Sequence, residues 1–323
     1  MKETFVRDLK KDSEVKEYFM LKSSAVRTGS TGKLYLDVIL CDKTGEVNGK
    51  KWEVAPGDRE LKEKDIVKVI ATVTEFNGQL QLRIQRIRKA EPEKYEEDSF
   101  NMGDYVKVAP EDPAEMLRYL EETAESFRDE DLKAIALRVL RDNRDRLLYY
   151  PAASKNHHAE LGGLLYHTKR MLMTGEGVLK VYTNLNRDLL LCGVILHDME
   201  KLDEIEADEL GIASGYSMEG HLLGHLVMGV KYVEKLAEEL NFPDEKRIML
   251  EHMIISHHYE PEFGSPKRPL FPEAEVLHYL DILDARMYDM EEALSVTVPG
   301  GFSERIWTLD NRRIYHPEGD KEK

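Results

Sequence analysis

Two hydrophobic periods divide the chain. Over residues 1–90 the apolar side chains recur at every second position or in short β-branched runs, the signature of strands. Val15 to Met20 alternates weakly. Leu34-Tyr35-Leu36-Asp37-Val38-Ile39-Leu40-Cys41 is strongly apolar, and Asp42-Lys43-Thr44-Gly45-Glu46 after it supplies turn chemistry. Ile66 to Val73 is a further strand run. Phe76-Asn77-Gly78-Gln79 contains Asn-Gly, a strong hairpin signal, and Leu80, Leu82, Ile84 and Ile87 continue on the far side. Gln81, Arg83 and Gln85 interleave with these, so one face of that strand is polar and basic.

Residues 91–112 are charged, carry Pro92, Pro110 and the start of Asp112-Pro113, and read as a connector. Asp112 suits a helix N-cap with Pro113 at the first helical position. From there to about residue 295 the period becomes helical. Leu117, Leu120, Ala124 and Phe127 share one face, and Leu132, Ile135, Ala136, Val139 and Leu140 another. The expected architecture is therefore two domains: an N-terminal all-β Greek-key barrel of OB type at 1–90, and a C-terminal all-α helical bundle at 113–311. A polar, frayed tail is expected at 312–323.

Composition sharpens this. The chain has 323 residues and a formal net charge of −16. The charge is unevenly shared: residues 1–90 hold 19 Lys and Arg against 14 Asp and Glu, whereas the remainder holds 27 against 48. A basic module joined to an acidic body fits a division between holding an anionic polymer and holding metal ions. The simpler reading is that the acidic excess confers solubility. No apolar run reaches the roughly 20 residues of a membrane span, and Met1-Lys2-Glu3-Thr4 lacks the apolar stretch of an export signal. Cys41 and Cys192 each sit in an apolar run and read as buried thiols. The expectation is a cytoplasmic protein without a membrane partner.

Of the 11 histidines, ten fall between positions 157 and 278. His167 lies inside a helical apolar run. His197-Asp198 closes the apolar stretch Leu189 to Leu196. His221 and His225, four apart, would share a helix face. His252 and the pair His257-His258 follow, and Leu280-Asp281-Ile282-Leu283-Asp284 sets two carboxylates in an apolar helix. A lone histidine on an apolar face is more often a packed core residue than a ligand. An ordered series of His and Asp on several helices is different, because buried carboxylates need a cation and imidazole with carboxylate suits first-row divalent metals. A bridging Asp with histidines around it could hold two ions, the arrangement that clamps a phosphodiester for in-line attack.

The series His167, His197-Asp198, Asp281 resembles the HD superfamily of metal-dependent phosphohydrolases, and Lys201 stands where a lysine often follows that pair. Met199-Glu200 departs from the usual Ile-Gly. The stretches His158-Ala159-Glu160-Leu161-Gly162-Gly163-Leu164-Leu165-Tyr166-His167, Asn186-Arg187-Asp188, Glu219-Gly220-His221-Leu222-Leu223-Gly224-His225 and Ser256-His257-His258-Tyr259-Glu260-Pro261 are similar to the YhaM-type 3′→5′ exoribonucleases, which join an OB-type domain to an HD domain. The resemblance implies His167, His197, Asp198 and Asp281 as core ligands, Asp198 as the bridge, and His225, His257 and His258 as ligands of a second ion. It implies His221 as an outer partner or a substrate contact, Asp284 as an outer partner, and catalytic roles for Asp198 and Lys201. His252 and His278 are assigned to packing. The implied cofactor is a pair of divalent ions, manganese first, with iron, zinc, nickel and cobalt as alternatives.

The implied reaction is hydrolysis of single-stranded RNA, with DNA as a second substrate, and self-association into a homo-oligomer is a further expectation from such relatives. In the barrel, stacking and backbone charge would come from Lys33, Tyr35, Trp52, Phe76 and Arg83, although each aromatic taken singly could belong to the core. Lys155, Lys267 and Arg268 are weaker phosphate contacts. The loop Glu262 to Pro269 would shape the entrance, and Arg27 to Lys33, lacking Walker spacing, reads as a strand connection. Two other functions stay open: an HD phosphodiesterase acting on a small nucleotide such as a cyclic dinucleotide, and a non-catalytic nucleic-acid-binding adaptor.

Overall fold

The computed structural model describes residues 2–29, 32–93, 95, 98, 100–154 and 158–319, so Lys155 and part of the Arg27 to Lys33 loop lie outside the described residues. The chain forms two units, Met1–Lys107 and Val108–Lys323, and their boundary falls inside the segment read as a connector.

In the first unit, β1 (Glu14–Thr28), β2 (Leu34–Asp42), β3 (Gly45–Lys51), β4 (Ile66–Phe76) and β5 (Gln79–Lys89) close into a barrel in the order β1-β2-β3-β5-β4. β3 and β5 pair in parallel and the remaining neighbours antiparallel, the Greek-key closure of an OB-fold. Phe19, Leu21, Leu36, Val38, Leu40, Val69, Val73, Leu82 and Ile84 point inward and are buried. β1 is far longer than the run Val15 to Met20: a bulge between Leu21 and Ser23 lets its first half pair with β4 and its second half with β2. β3 was not legible as a strand, since Val47 is its one buried large apolar residue. Its Gly49 faces the core so closely that a Cβ there would come within 2.7 Å of Ile84 Cδ1.

The second unit contains α1 (Pro113–Glu125), α2 (Glu130–Asp142), α3 (Arg144–Leu147), α4 (Gly163–Leu179), α5 (Arg187–Leu196), α6 (Lys201–Glu204), α7 (Met218–Leu240), α8 (Asp244–Ser256) and α9 (Pro272–Ser295). Asp112 caps α1 as expected, its carboxylate accepting from the N–H groups of Ala114 and Glu115 at 2.9 and 3.1 Å. α5 is apolar on all sides, and each of its residues from Asp188 to Leu196 is buried. It is the central helix against which α2, α4, α8 and α9 pack. A two-stranded hairpin, β6 (Ile205–Ala207) with β7 (Ala213–Tyr216), interrupts the helices and was not expected from sequence. Residues 312–316 are not frayed: Ile306 N donates to Arg312 O at 2.9 Å and Ser303 N to Ile314 O at 2.8 Å. Among the described residues no helix is long and apolar enough to cross a membrane.

Candidate metal centre and nucleic-acid face

Five helices bring the His and Asp series together. His167 comes from the buried face of α4, and His197 with Asp198 directly follows the end of α5. His225 lies in α7, His257 caps the C-terminus of α8 with His258 next to it, and Asp281 and Asp284 lie on α9.

Asp198 is the centre. Its Oδ2 faces His197 Nε2 at 3.4 Å, His167 Nε2 at 3.7 Å and the Lys201 ammonium at 2.7 Å. Its Oδ1 faces His225 Nε2 at 3.5 Å and His257 Nε2 at 3.8 Å. Asp281 Oδ1 lies 3.4 Å from His167 Nε2. The imidazole–carboxylate separations, 3.4 Å or more, are long for hydrogen bonds. They suit donors arranged around ions bound at about 2.0–2.2 Å. Asp198 Oδ1 and the Nε2 atoms of His197, His225 and His257 are buried without a hydrogen-bond partner among the described residues, and Asp198 Oδ2 is held by the Lys201 ammonium. His258 is half-buried, its ring centre 5.1 Å from that of His225 and 4.2 Å from that of His257. His225, His257 and His258 can each bring a ring nitrogen within 4.8 Å of the others.

The other ring nitrogen is anchored in four of these histidines. The rings of His197 and His257 share one device: Nδ1 bonds the carbonyl three residues back, Val194 O at 2.8 Å and Ile254 O at 2.7 Å. His167 Nδ1 meets Asp284 Oδ2 at 2.8 Å, and His225 Nδ1 meets Glu204 Oε1 at 3.0 Å. A ring anchored at Nδ1 turns its Nε2 toward Asp198, the orientation a metal ligand needs. Asp284 is itself held by His158 Nε2 at 2.8 Å and Arg170 Nε at 2.6 Å.

Two expectations change. His221 does not back up a ligand: it is exposed, its ring centre 5.5 Å from that of Tyr216. The cause is Gly224, whose φ of 70° and ψ of 159° break α7 between the two histidines, so that His221 and His225 do not share a face. The break also frees the His225 N–H, which donates to Glu204 Oε1 at 3.0 Å. Glu204 therefore fills the place given to His221. Nothing local in the sequence marked it, because Asp203-Glu204 reads as an exposed acidic pair at a helix end. His158 was likewise unassigned. Of the two histidines assigned to packing, His278 Nδ1 bonds His257 O at 2.7 Å and His252 Nε2 accepts from Leu270 N at 3.0 Å. Arg268 is exposed and paired with Glu260, and Lys267 is exposed.

The electrostatics follow from burial against charge. Burial opposes ionisation of Asp198 and Asp281, yet Lys201 and His197 hold the first, and His167 and His257 the second, well below the usual carboxylate range. Burial pushes the His257 imidazole well below its usual value, with His258 and His197 adding repulsion. His258 is lowered too, mainly by burial. His167 goes the other way: burial resists its charge, but Asp281 and Asp284 bring it up to about 9. Burial also resists charge on Lys201, and Asp198 with Asp281 outweighs it, so the ammonium persists. The pocket holds two ionised carboxylates and draws positive charge to them, and its donor set is that of first-row divalent metals.

On the barrel, Tyr35 lies on β2, Arg83 on β5 and Trp52 directly after the end of β3, and Trp52 and Arg83 are exposed. The rings of Tyr35 and Trp52 have centroids 5.1 Å apart and are inclined by 36°. The Lys50 ammonium sits 5.4 Å from the Tyr35 centroid, and Lys50 is the cross-strand neighbour of Arg83. Lys33 lies in the β1–β2 connection and Phe76 at the β4–β5 turn. Trp52 and Phe76 are 53% and 62% exposed, so neither is a core residue. The outer surface of strands 2 and 3 with these two loops is the region OB-folds use for oligonucleotides.

Comparison with known proteins agrees in scope. The HD domain family model matches residues 164–286. The chain is 38% identical over 305 residues to the 3′-5′ exoribonuclease YhaM of Geobacillus sp. (strain WCH70), covering 94% of this chain and 92% of that one. Among solved structures, the second OB-fold domain of replication protein A from Methanococcus maripaludis is 20% identical, with a TM-score of 0.23 over 27% of this chain and 92% of that chain. A replication protein A heterotrimer bound to single-stranded DNA is 13% identical, with a TM-score of 0.22 over 26% and 64%.

Proposed function

Because the chain belongs to the family of the 3′-5′ exoribonuclease YhaM, we infer that it is a metal-dependent hydrolase that degrades RNA from the 3′ end. We assign one ion to His167, His197, Asp198 and Asp281, and a second to Asp198, His225, His257 and His258. The observation that carries this is the divided environment of Asp198, each oxygen turned to a different pair of imidazoles and hydrogen-bonded to neither. Divalent ions bound by this set supply the positive charge that polarises a phosphodiester and acidifies water. Manganese is the first choice of metal, with iron, zinc, nickel and cobalt as alternatives.

The chain's own groups do the rest. Nδ1 anchoring holds four imidazoles in register, and their Nε2 atoms are pre-aimed, so binding requires little rearrangement. Lys201 keeps its proton at Nζ beside Asp198, where its charge can meet a phosphate oxygen as negative charge develops. Single-stranded RNA is the substrate we assign, its bases stacking on Tyr35, Trp52 and Phe76 and its backbone meeting Lys33 and Arg83.

The test combines metal analysis of the purified protein with a time course on 3′-labelled and 5′-labelled RNA. Two ions per chain and immediate release of 3′-labelled mononucleotide are expected. Asp198→Ala should lose metal and cleavage while retaining RNA binding. Normal cleavage by that variant would show the assigned centre to be wrong. Running single-stranded DNA beside the RNA measures the second substrate.

A further inference from the structure

A groove on the first unit has neither Tyr35 nor Trp52 in its lining. It occupies about 1040 Å³ along β1, β4 and β5 and the segment 55–62, and among the described residues its lining holds seven Lys and Arg side chains against three carboxylates, Asp58, Glu60 and Glu91. Cross-strand register explains the grouping: Lys16 neighbours Ile70, which neighbours Arg86, and Tyr18 neighbours Lys68, which neighbours Arg88.

A bulge builds this surface. On β5 the strict alternation fails between Ile84 and Ile87: both are buried, and Gln85 and Arg86 are consecutive exposed residues. The register against β4 shifts at that point, between Ile70 and Ala71. Without the extra residue Arg86 and Arg88 would turn into the core. Bulges commonly re-aim side chains beside functional surfaces.

The cations are not neutralised equally. Asp98 takes both ends of the Arg88 guanidinium, and Asp65 takes Lys89 at 2.5 Å. Lys16, Lys62 and Arg86 join no ion pair among the described residues. Unopposed cations in a concave, low-dielectric groove concentrate positive potential. Among the described residues the lining holds no aromatic side chain, and Tyr18, the cross-strand neighbour of Lys68, donates to Asp98 at 2.7 Å and lies under the Lys68 ammonium, 5.1 Å from its ring centroid. Charge without free aromatics suits a sugar–phosphate backbone rather than bases.

We propose that this groove is a second RNA-binding track, in which Lys16, Lys68 and Arg86 hold the phosphates of RNA extending beyond the part stacked on the Tyr35–Trp52 face. The proposal rests on the reading that the chain handles RNA. Its test is made without cleavage, so the metal assignment does not enter. Binding of oligouridine of about 20 nucleotides, longer than one OB site, to the full chain is measured in EDTA across a salt series. Losing two phosphate contacts to single-stranded RNA lowers the slope of log K against log salt by about 1.4. Lys16→Gln with Arg86→Gln should therefore bind roughly 25-fold more weakly at 0.1 M salt and converge with the parent protein near 1 M. Lys10→Gln with Lys11→Gln removes the same charge outside the groove and should leave the slope within a few tenths. An unchanged slope in the groove variant would overturn the proposal and leave an acidic protein surface as the partner. An equal fall in both variants would overturn it as well, by making the effect one of net charge. Circular dichroism of each variant confirms that folded proteins are compared.

Discussion

Glu204 grips His225 twice. Its carboxylate takes the imidazole Nδ1 and the backbone N–H of the same residue, each at 3.0 Å, and so fixes both the ring and the chain that carries it. A ligand held this way presents Nε2 without searching rotamers. Glu204→Ala should lower affinity for the ion that His225 helps to bind by about 10- to 100-fold, the range found when outer partners of metal-bound histidines are removed. Glu204→Gln keeps one acceptor and should fall between. Calorimetric titration of the apoprotein with Mn²⁺ reads this directly; equal affinity in all three proteins would exclude the positioning role.

Gly224 aims the same histidine. Its φ of 70° with ψ of 159° is a region open in practice only to glycine, and a Cβ there would meet nothing nearer than Glu204 Oε1 at 3.7 Å. The obstacle is thus backbone conformation, not space. Gly224→Ala should straighten α7, swing His225 from Glu204, and cost at least tenfold in metal affinity. Apoprotein stability should move by only about 1–2 kcal/mol, because helix propensity gained offsets strain. Full occupancy at parental affinity in this variant would show that the break is not what aims His225.

This break also shows where sequence reasoning stopped. Helix caps and apolar faces were legible because they are local: Asp112-Pro113 opened α1 where expected. The convergence of the His and Asp series was legible because buried His and Asp in apolar helices are costly without a cation. The spacing of His221 and His225 misled because a four-residue interval implies a shared face only in an unbroken helix. Glu204 and His158 act across 21 and 126 residues, on His225 and Asp284, and such contacts leave no periodic trace. β3, β6 and β7 are too short or too polar to alternate. The interval from Ile84 to Ile87 did carry the bulge of β5, as a lapse in an otherwise regular pattern.

The two cysteines should be inert in the folded protein. Both are buried and unpaired by a disulfide. Burial is the main force raising each thiol, Cys41 up to about 11 and Cys192 further, with nearby carboxylates adding to it. At pH 8 the Cys41 thiolate is then about one part in a thousand, and thiolate is the reactive form. Ellman's reagent should report fewer than one thiol per chain in buffer and two in guanidinium chloride. Rapid modification of the native protein would contradict the burial.

Asp98 gives the barrel its acid limit. Its carboxylate accepts from Arg88 at 2.5 and 2.8 Å, Tyr18 OH at 2.7 Å and Glu91 N at 2.8 Å, and its side chain has no exposed surface. Arg88 is the largest influence and, against the resistance of burial, holds the group well below the usual carboxylate range. A depressed pKa means that the folded state favours the ionised form. The stability this confers is complete above the unfolded value of about 3.9 and drains away as pH falls below it toward the folded value. Asp98→Asn should cost the barrel about 1–2 kcal/mol at pH 7, because Arg88 loses its carboxylate partner but is part-exposed and partly screened by solvent. The loss should shrink as pH drops below 4, so the two stability curves approach each other in acid. Urea unfolding followed by Trp52 fluorescence in a Trp307→Phe background, from pH 7 to pH 3, measures both. A gap between the curves that stayed constant down to pH 3 would mean that the ionised Asp98 carboxylate is not what stabilises this corner of the barrel.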